Sequence, residues 1–282
     1  MEKILAAVDF SECSMNAFRH SVNYARAMQA DLTMVWVDPE TFKFIGSSSE
    51  KEENLNRARE AFEGIWKQYK NDLNGGELKY IVKRGQVHEE IVKAAVEEDA
   101  EMIVAGTHGV SGFREFWMGS NVFRLIMASP VPVLSIREST PVTDGIKNII
   151  LPVDSTIETR QKNKLVAHIA KTFGASVHVL SLYSSKMEEL RELVDEHSKE
   201  AANYFQAEGV NTRHAHREGN NITTMTIEYA REEQADLIVM MTEQEIKTAN
   251  LWMGPYAKQM VNHSEIPVLS IKPQELIRSL RE

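Results

Sequence analysis

The chain has a single cysteine, Cys13, among 282 residues. One thiol cannot close an internal disulfide, so no cross-link supports the fold, and a reducing, cytoplasmic setting is expected. There is no excess of basic residues. The formal net charge is −9, spread almost evenly over the two halves. That argues against nucleic acid or an anionic membrane as partner, since both need a basic surface. No apolar run approaches the ~18 residues that cross a bilayer. Met1-Glu2-Lys3-Ile4 enters a strand-like run at once, without the basic segment and apolar core of a secretory leader. What remains is an ordinary globular composition, 43% apolar and 26% charged, of a length that suits about two domains.

Short apolar runs alternate with amphipathic stretches. Ile4 to Val8, Leu32 to Val37, Leu78 to Val82, Met102 to Ala105 and Val131 to Ile136 read as buried strands. Between them, the run from Ala17 to Met28, residues 51–73 and residues 91–96 have helical spacing, and residues 40–50 read as a loop. Asp9-Phe10-Ser11 after the first run is a helix-start signal. Strands alternating with helices predict parallel βαβ units with right-handed crossovers. The order then repeats. Ile149 to Asp154 matches the first strand at an offset of about 145 residues, and Ile266 to Ile271 matches Val131 to Ile136 at about 135. The expected architecture is two tandem α/β domains, residues 1–140 and 146–282. Each is an open twisted five-stranded parallel sheet, and Ser139 to Gly145 is a linker rich in turn formers.

One loop of this repeat carries chemistry. After the fourth strand the chain reads Gly106-Thr107-His108-Gly109, then nine residues, then Gly119-Ser120-Asn121 at the head of another apolar-periodic run. In an open parallel sheet, ligands sit beyond the carboxyl ends of the strands where the strand order reverses. Glycine lets the backbone come close to a ligand, and exposed N–H groups form a concavity for anions. A helix start at Ser120 adds a dipole that favours phosphate. Arg114 between the glycine clusters can reach a terminal phosphate. The bland alternative is a glycine-rich connection followed by a serine cap.

Gly106-Thr107-His108-Gly109-x9-Gly119-Ser120-Asn121, in that position, resembles the ATP-binding motif of the universal stress protein family. Ala6-Ala7-Val8-Asp9-Phe10-Ser11 and Val35-Trp36-Val37-Asp38 are similar to the ends of that family's first two strands. The resemblance covers both halves, as in a tandem two-domain member. It implies a Rossmann-like, adenine nucleotide alpha hydrolase-like fold. It also implies that Ala7, Val8 and Asp9 border adenine and ribose, and that Val37 lies against adenine. Gly106, Thr107, His108, Gly109, Gly119, Ser120 and Asn121 would then hold the phosphates. Proline and threonine are common in the family where Ala7 and Val8 stand. Asp9 has two readings, a ligand contact near Mg²⁺ or an N-cap of the following helix. Ser11 reads as a cap. The family also implies that fifth strands pair at a dimer interface. Here Val131–Ile136 and Ile266–Ile271 would pair within one chain as a pseudo-dimer, with further homodimerisation left open.

The second copy departs from the motif. Gly106, Gly109 and Ser120 are replaced by Met241, Gln244 and Pro255, and Glu243 and Glu245 add negative charge, although Asp154 and Gly254 persist. Proline has neither N–H nor hydroxyl for a phosphate. The second domain is therefore expected to serve its fold or protein contacts, with one ATP site per chain in the first. No dedicated catalytic residue is evident, so hydrolysis should be slow at most. A nucleotide-free scaffold is the alternative. An ATP-using enzyme of related fold is disfavoured, because Asp9 to Ser14 contains no glycine-rich phosphate loop. ATP, AMP and cyclic AMP are not distinguished. His214-Ala215-His216 has the spacing of two ligands on one strand face but no evident third. His108 has no partner that would make it a general base. Cys13 near a helix start reads as an inert thiol. Trp117-Met118 and Trp252-Met253 recur in both copies, which argues for packing or an interface over ligand contact.

Overall fold

The computed structural model describes residues 2–39, 48–107, 120–242 and 255–273. The chain forms two compact units, Met1–Thr143 and Asp144–Glu282.

The first unit runs β1 (Lys3–Ala7), α1 (Glu12–Met28), β2 (Asp31–Pro39), α2 (Ser48–Tyr69), β3 (Leu78–Gly85), α3 (Val87–Glu97), β4 (Met102–Gly106), α4 (Ser120–Ala128) and β5 (Val133–Ile136). Its strands lie in the order β3-β2-β1-β4-β5, all parallel. Right-handed crossovers in that order put α1 and α2 on one face and α3 and α4 on the other. With both faces covered, the central strands can be apolar without alternation. Ile4, Leu5 and Ala6 in β1 and Ile103, Val104 and Ala105 in β4 are all at most 2% exposed. Each full burial of a large aliphatic side chain of this kind stabilises by about 1.5–3 kcal/mol.

Helix α1 is bounded by its own sequence. Ser11 caps the start, its side chain accepting from the Ser14 amide, and Gln29 ends the helix in the left-handed region at φ 53. Ala17, Phe18, Val22 and Ala25 form its buried stripe, and the Phe18 ring meets Tyr69 of α2 edge-on at 5.2 Å. The segment after β5 is tied to α1 as well. Asn16 donates to the carbonyls of Arg137 and Thr140, at 2.8 and 2.9 Å, and Asn23 to that of Thr143 at 2.8 Å.

The second unit runs β6 (Asn148–Val153), a 3₁₀ turn (Ile157–Lys162), α5 (Asn163–Phe173), β7 (Ser176–Tyr183), α6 (Glu188–Ala207), β8 (Thr212–Glu218), α7 (Ile222–Glu232), β9 (Leu237–Met241), α8 (Pro255–His263) and β10 (Val268–Ile271). Its parallel order, β8-β7-β6-β9-β10, repeats that of the first unit. Several boundaries differ from the sequence expectation. β2 continues through Pro39, which can end a strand because its missing N–H is not needed there. Helix α2 begins at Ser48 and stops at Tyr69. In the first unit, β5 covers only Val133–Ile136, although the Pro132 carbonyl still accepts from the Ile103 amide at 2.9 Å.

Candidate functional site

The strand order of the first unit reverses between β1 and β4, and the strand ends there define a crevice. Register decides what reaches it. Ala7 pairs with Val35 on one side and with Ala105 on the other. Residues just beyond these partners therefore gather at one edge: Val8 and Asp9 after β1, Val37 near the end of β2, Gly106 and Thr107 at the end of β4. Ala7 is half-buried, and Val8 and Val37 are 3% and 7% exposed. The Val8 amide donates to the Val35 carbonyl at 2.9 Å.

Asp9 closes a local network. Its Oδ1 accepts from the Ser11 amide at 3.1 Å and from the Ser11 hydroxyl at 2.6 Å. The Ser11 Oγ accepts in turn from the Ser14 amide at 3.2 Å. Ser14 Oγ accepts from the Asp9 amide at 3.2 Å and donates to the Ser11 carbonyl at 3.1 Å. Ser11 is thus the cap, and Asp9 supports it with one oxygen. Between them Phe10 sits in the left-handed region, at φ 65. Its ring packs against Phe62 of α2, centroids 5.1 Å apart, and near Trp36 of β2 at 6.4 Å.

At the end of β4, the glycine has a packing reason of its own. A Cβ on Gly106 would lie 2.9 Å from the Cys13 carbonyl carbon and 3.0 Å from its sulfur. Helix α1 therefore touches the strand through the space that glycine leaves. Cys13, 2% exposed, has its Sγ 3.6 Å from the Ile136 carbonyl and 4.0 Å from the Thr107 hydroxyl. The Thr107 amide donates to the same carbonyl at 2.9 Å. Cys13 is buried, as expected of an inert thiol, yet it also packs against Gly106 and Thr107 at the end of β4, a role its sequence context does not announce. The available signal is a small residue in the first helical turn of a unit whose fourth strand ends in glycine.

Ser120 and Asn121 open α4, and Asn121 is exposed. His108, Gly109, Arg114, Trp117, Met118 and Gly119 lie outside the described residues. Among the described residues, no group of three or more His, Cys, Asp or Glu side chains could hold a metal ion. His214 and His216, both exposed on β8, are not part of such a group.

The second unit builds the same corner differently. Asp154 Oδ1 accepts from the Thr156 amide at 2.9 Å and from its hydroxyl at 2.5 Å, which mirrors Asp9 and Ser11. The chain then winds into the 3₁₀ turn rather than an α-helix, and Thr156 makes no side-chain cap bond. Lys162, 3% exposed, ends that turn. Its Nζ donates to the Pro152 carbonyl at 2.5 Å and to the Thr159 hydroxyl at 3.2 Å. Burial pulls the pKa of the Lys162 amine down to about 8, with the Asp154 charge opposing. Met241 ends β9 where β4 has Gly106, and Pro255 opens α8. Glu243, Gln244, Glu245, Trp252, Met253 and Gly254 lie outside the described residues.

Comparison with known proteins agrees with this doubled plan. A model of the universal stress protein family matches residues 1–137 and again residues 145–272. Universal stress protein YxiE of Bacillus subtilis is 28% identical over 151 residues, covering 48% of this chain and 98% of its own length. Universal stress protein MJ0577 of Methanocaldococcus jannaschii is 29% identical over 153 residues, covering 48% and 94% respectively. Among solved structures, a universal stress protein from Archaeoglobus fulgidus shares the fold over 96% of each chain, with a TM-score of 0.76 at 18% identity. With matches to both halves of the chain, the protein belongs to the universal stress protein family.

Proposed function

We propose that the first unit binds ATP, one molecule per chain, and that occupancy regulates a stress response with at most slow hydrolysis. The observation that carries this reading is the register that brings Val8, Asp9, Val37, Gly106 and Thr107 to one edge at the reversal of strand order. That is where a doubly wound sheet takes ligands, and the glycine-bearing loop of the sequence departs from the same edge. In this reading the buried apolar Val37 lies against the base and Asp9 borders the ribose. The start of α4 at Ser120 and Asn121 faces the phosphates, favoured by the helix dipole. His108, Gly109, Arg114 and Gly119 complete the phosphate contacts.

Asp9 is a carboxylate close to where a triphosphate would lie. The donor set fits Mg²⁺, a hard cation that takes oxygen ligands from one carboxylate and from phosphate. The ion would offset the repulsion between the two anions. Slow turnover follows because phosphoryl transfer needs positioned metal, base and charge together. Cytoplasmic location and dimerisation belong to this reading as well, the former supported by the lone buried thiol of Cys13.

The second unit serves its fold and protein contacts. Support comes from Lys162, whose ammonium already satisfies the Pro152 carbonyl beneath the strand ends, and from Met241 in place of the glycine. The test is to denature the purified protein and measure released nucleotide, with and without prior EDTA. About one ATP or ADP per chain is expected, less after EDTA. Two per chain would refute the assignment of the second unit. No nucleotide, and none bound when ATP is added, would favour a scaffold.

A further inference from the structure

Phe10 is a bulky residue held at φ 65, a conformation that is unfavourable for L-residues other than glycine, asparagine and aspartate. Such a residue persists only where its surroundings over-determine it. Here the ring is wedged beside Phe62 at 5.1 Å and Trp36 at 6.4 Å. Phe62 is in turn stacked on Tyr80 of β3 at 5.2 Å, so the wedge rests on two strands and a helix.

The second unit supplies an internal control. Ser155 stands between Asp154 and Thr156 as Phe10 stands between Asp9 and Ser11, and it is not among the residues with positive φ. The carboxylate-to-hydroxyl bond forms in both units, so that turn alone does not require the left-handed residue. What differs is the continuation. After Phe10 the chain caps on Ser11 and is α-helical from Glu12, with Cys13 against Gly106. After Ser155 it winds through a 3₁₀ turn, and the α-helix starts only at Asn163. The strained residue goes with the unit whose phosphate motif is intact in sequence and whose helix begins at the crevice.

We propose that Phe10 is a positioning residue of the first unit's nucleotide site: its left-handed backbone starts α1 at the strand ends and sets Asp9 toward the ribose, while its packed ring adds stability. The proposal rests on the ATP reading above. The strain is a means of placement, and the ring itself need not touch the ligand. Backbone conformation at residue 10 should therefore govern affinity, while ring packing governs stability.

These two roles separate in a pair of variants of the full chain. Asparagine tolerates the left-handed region without a ring, whereas alanine does not. Phe10→Asn and Phe10→Ala both lose the aromatic wedge, and both should unfold at lower denaturant. ATP affinity, measured by calorimetric titration, should stay within about threefold of wild type for Phe10→Asn and fall about tenfold or more for Phe10→Ala. If Phe10→Ala loses cooperative unfolding, Phe10→Ser, which installs the residue of the second unit, replaces it with the same expected loss. Wild-type affinity in the alanine or serine variant overturns the proposal, and so does an equal loss in all variants, which would assign the effect to the ring. A wild-type chain that binds no ATP fails at an earlier step and removes the underlying site reading.

Discussion

Gly106 and Cys13 fit together as strand end and helix start, with the carbonyl carbon of Cys13 2.9 Å from where a Cβ on Gly106 would stand. The neighbour is backbone, so it cannot rotate away. Gly106→Ala should push α1 from β4 and destabilise the first unit by about 1–3 kcal/mol, the usual cost of overpacking. Chemical denaturation of the purified protein measures it. An unchanged midpoint would mean that the helix accommodates the methyl freely. Nucleotide affinity should fall together with stability, so this variant by itself cannot assign a phosphate contact to Gly106.

Gly119 tests the phosphate loop with a different expectation. Gly119→Val adds bulk at the second glycine cluster, where the ATP reading needs backbone close to a phosphate. Affinity for ATP should fall more than about tenfold, equivalent to about 1.4 kcal/mol, while the denaturation midpoint stays at the wild-type value. Retained affinity in a folded Gly119→Val protein would place the site elsewhere.

The fold was legible because most of its strands are short apolar runs bounded by turn formers and because those runs recur in the same order; β8, with the polar sequence from Thr212 to Glu218, carries no such apolar signal. The corner at Asp9 and Ser11 was legible as a cap because capping is local, settled within a few residues. The site's less visible parts are non-local. The reason for Gly106 lies in Cys13, and nothing in the sequence around either residue names the other. Phe10 looks like one more apolar residue, since φ has no signature in composition. Lys162 stands in the polar run Arg160-Gln161-Lys162-Asn163-Lys164, which reads as a solvated surface. Only the 3₁₀ turn points it inward.

His178 makes the second unit sensitive to acid. The ring on β7 is fully buried, its Nδ1 is 3.0 Å from the Tyr229 hydroxyl, and its Nε2 has no partner among the described residues. Burial, which Glu233 opposes and Arg213 reinforces, holds the ring below the ordinary histidine range. The unfolded chain therefore takes a proton that the folded chain refuses. Stability is fully present above about pH 6.5 and is lost as the pH falls below it. His178→Val should be less stable at neutral pH, because the Tyr229 hydroxyl loses its partner. It should also lose less on going from pH 7.5 to pH 5. Urea midpoints for the two proteins at several pH values make the comparison, and parallel pH profiles would sink the assignment.

Lys162 gives a pH dependence of its own on the alkaline side. Its pKa is pulled down to about 8 by burial, with Asp154 only partly offsetting that, whereas the unfolded side chain titrates near its ordinary value, about 10.4. Between these values the unfolded state binds more protons, so stability rises with pH. Below about pH 8 the buried ammonium weighs against the fold by roughly 3 kcal/mol, since each pH unit separating the folded and unfolded titrations is worth about 1.4 kcal/mol. Lys162→Met keeps the apolar stem and removes the charge. It also removes the donor to the Pro152 carbonyl and the Thr159 hydroxyl, which limits any gain at pH 7.5. The difference between the two proteins is the decisive quantity, since every other titrating group is common to both. From pH 7.5 to pH 10 the wild type should gain roughly 2 kcal/mol more than the variant, the part of the penalty relieved over that range. Unfolding free energies that run parallel over the range would show that Lys162 keeps an ordinary affinity for its proton, and that its contact with Pro152 leaves it in reach of solvent.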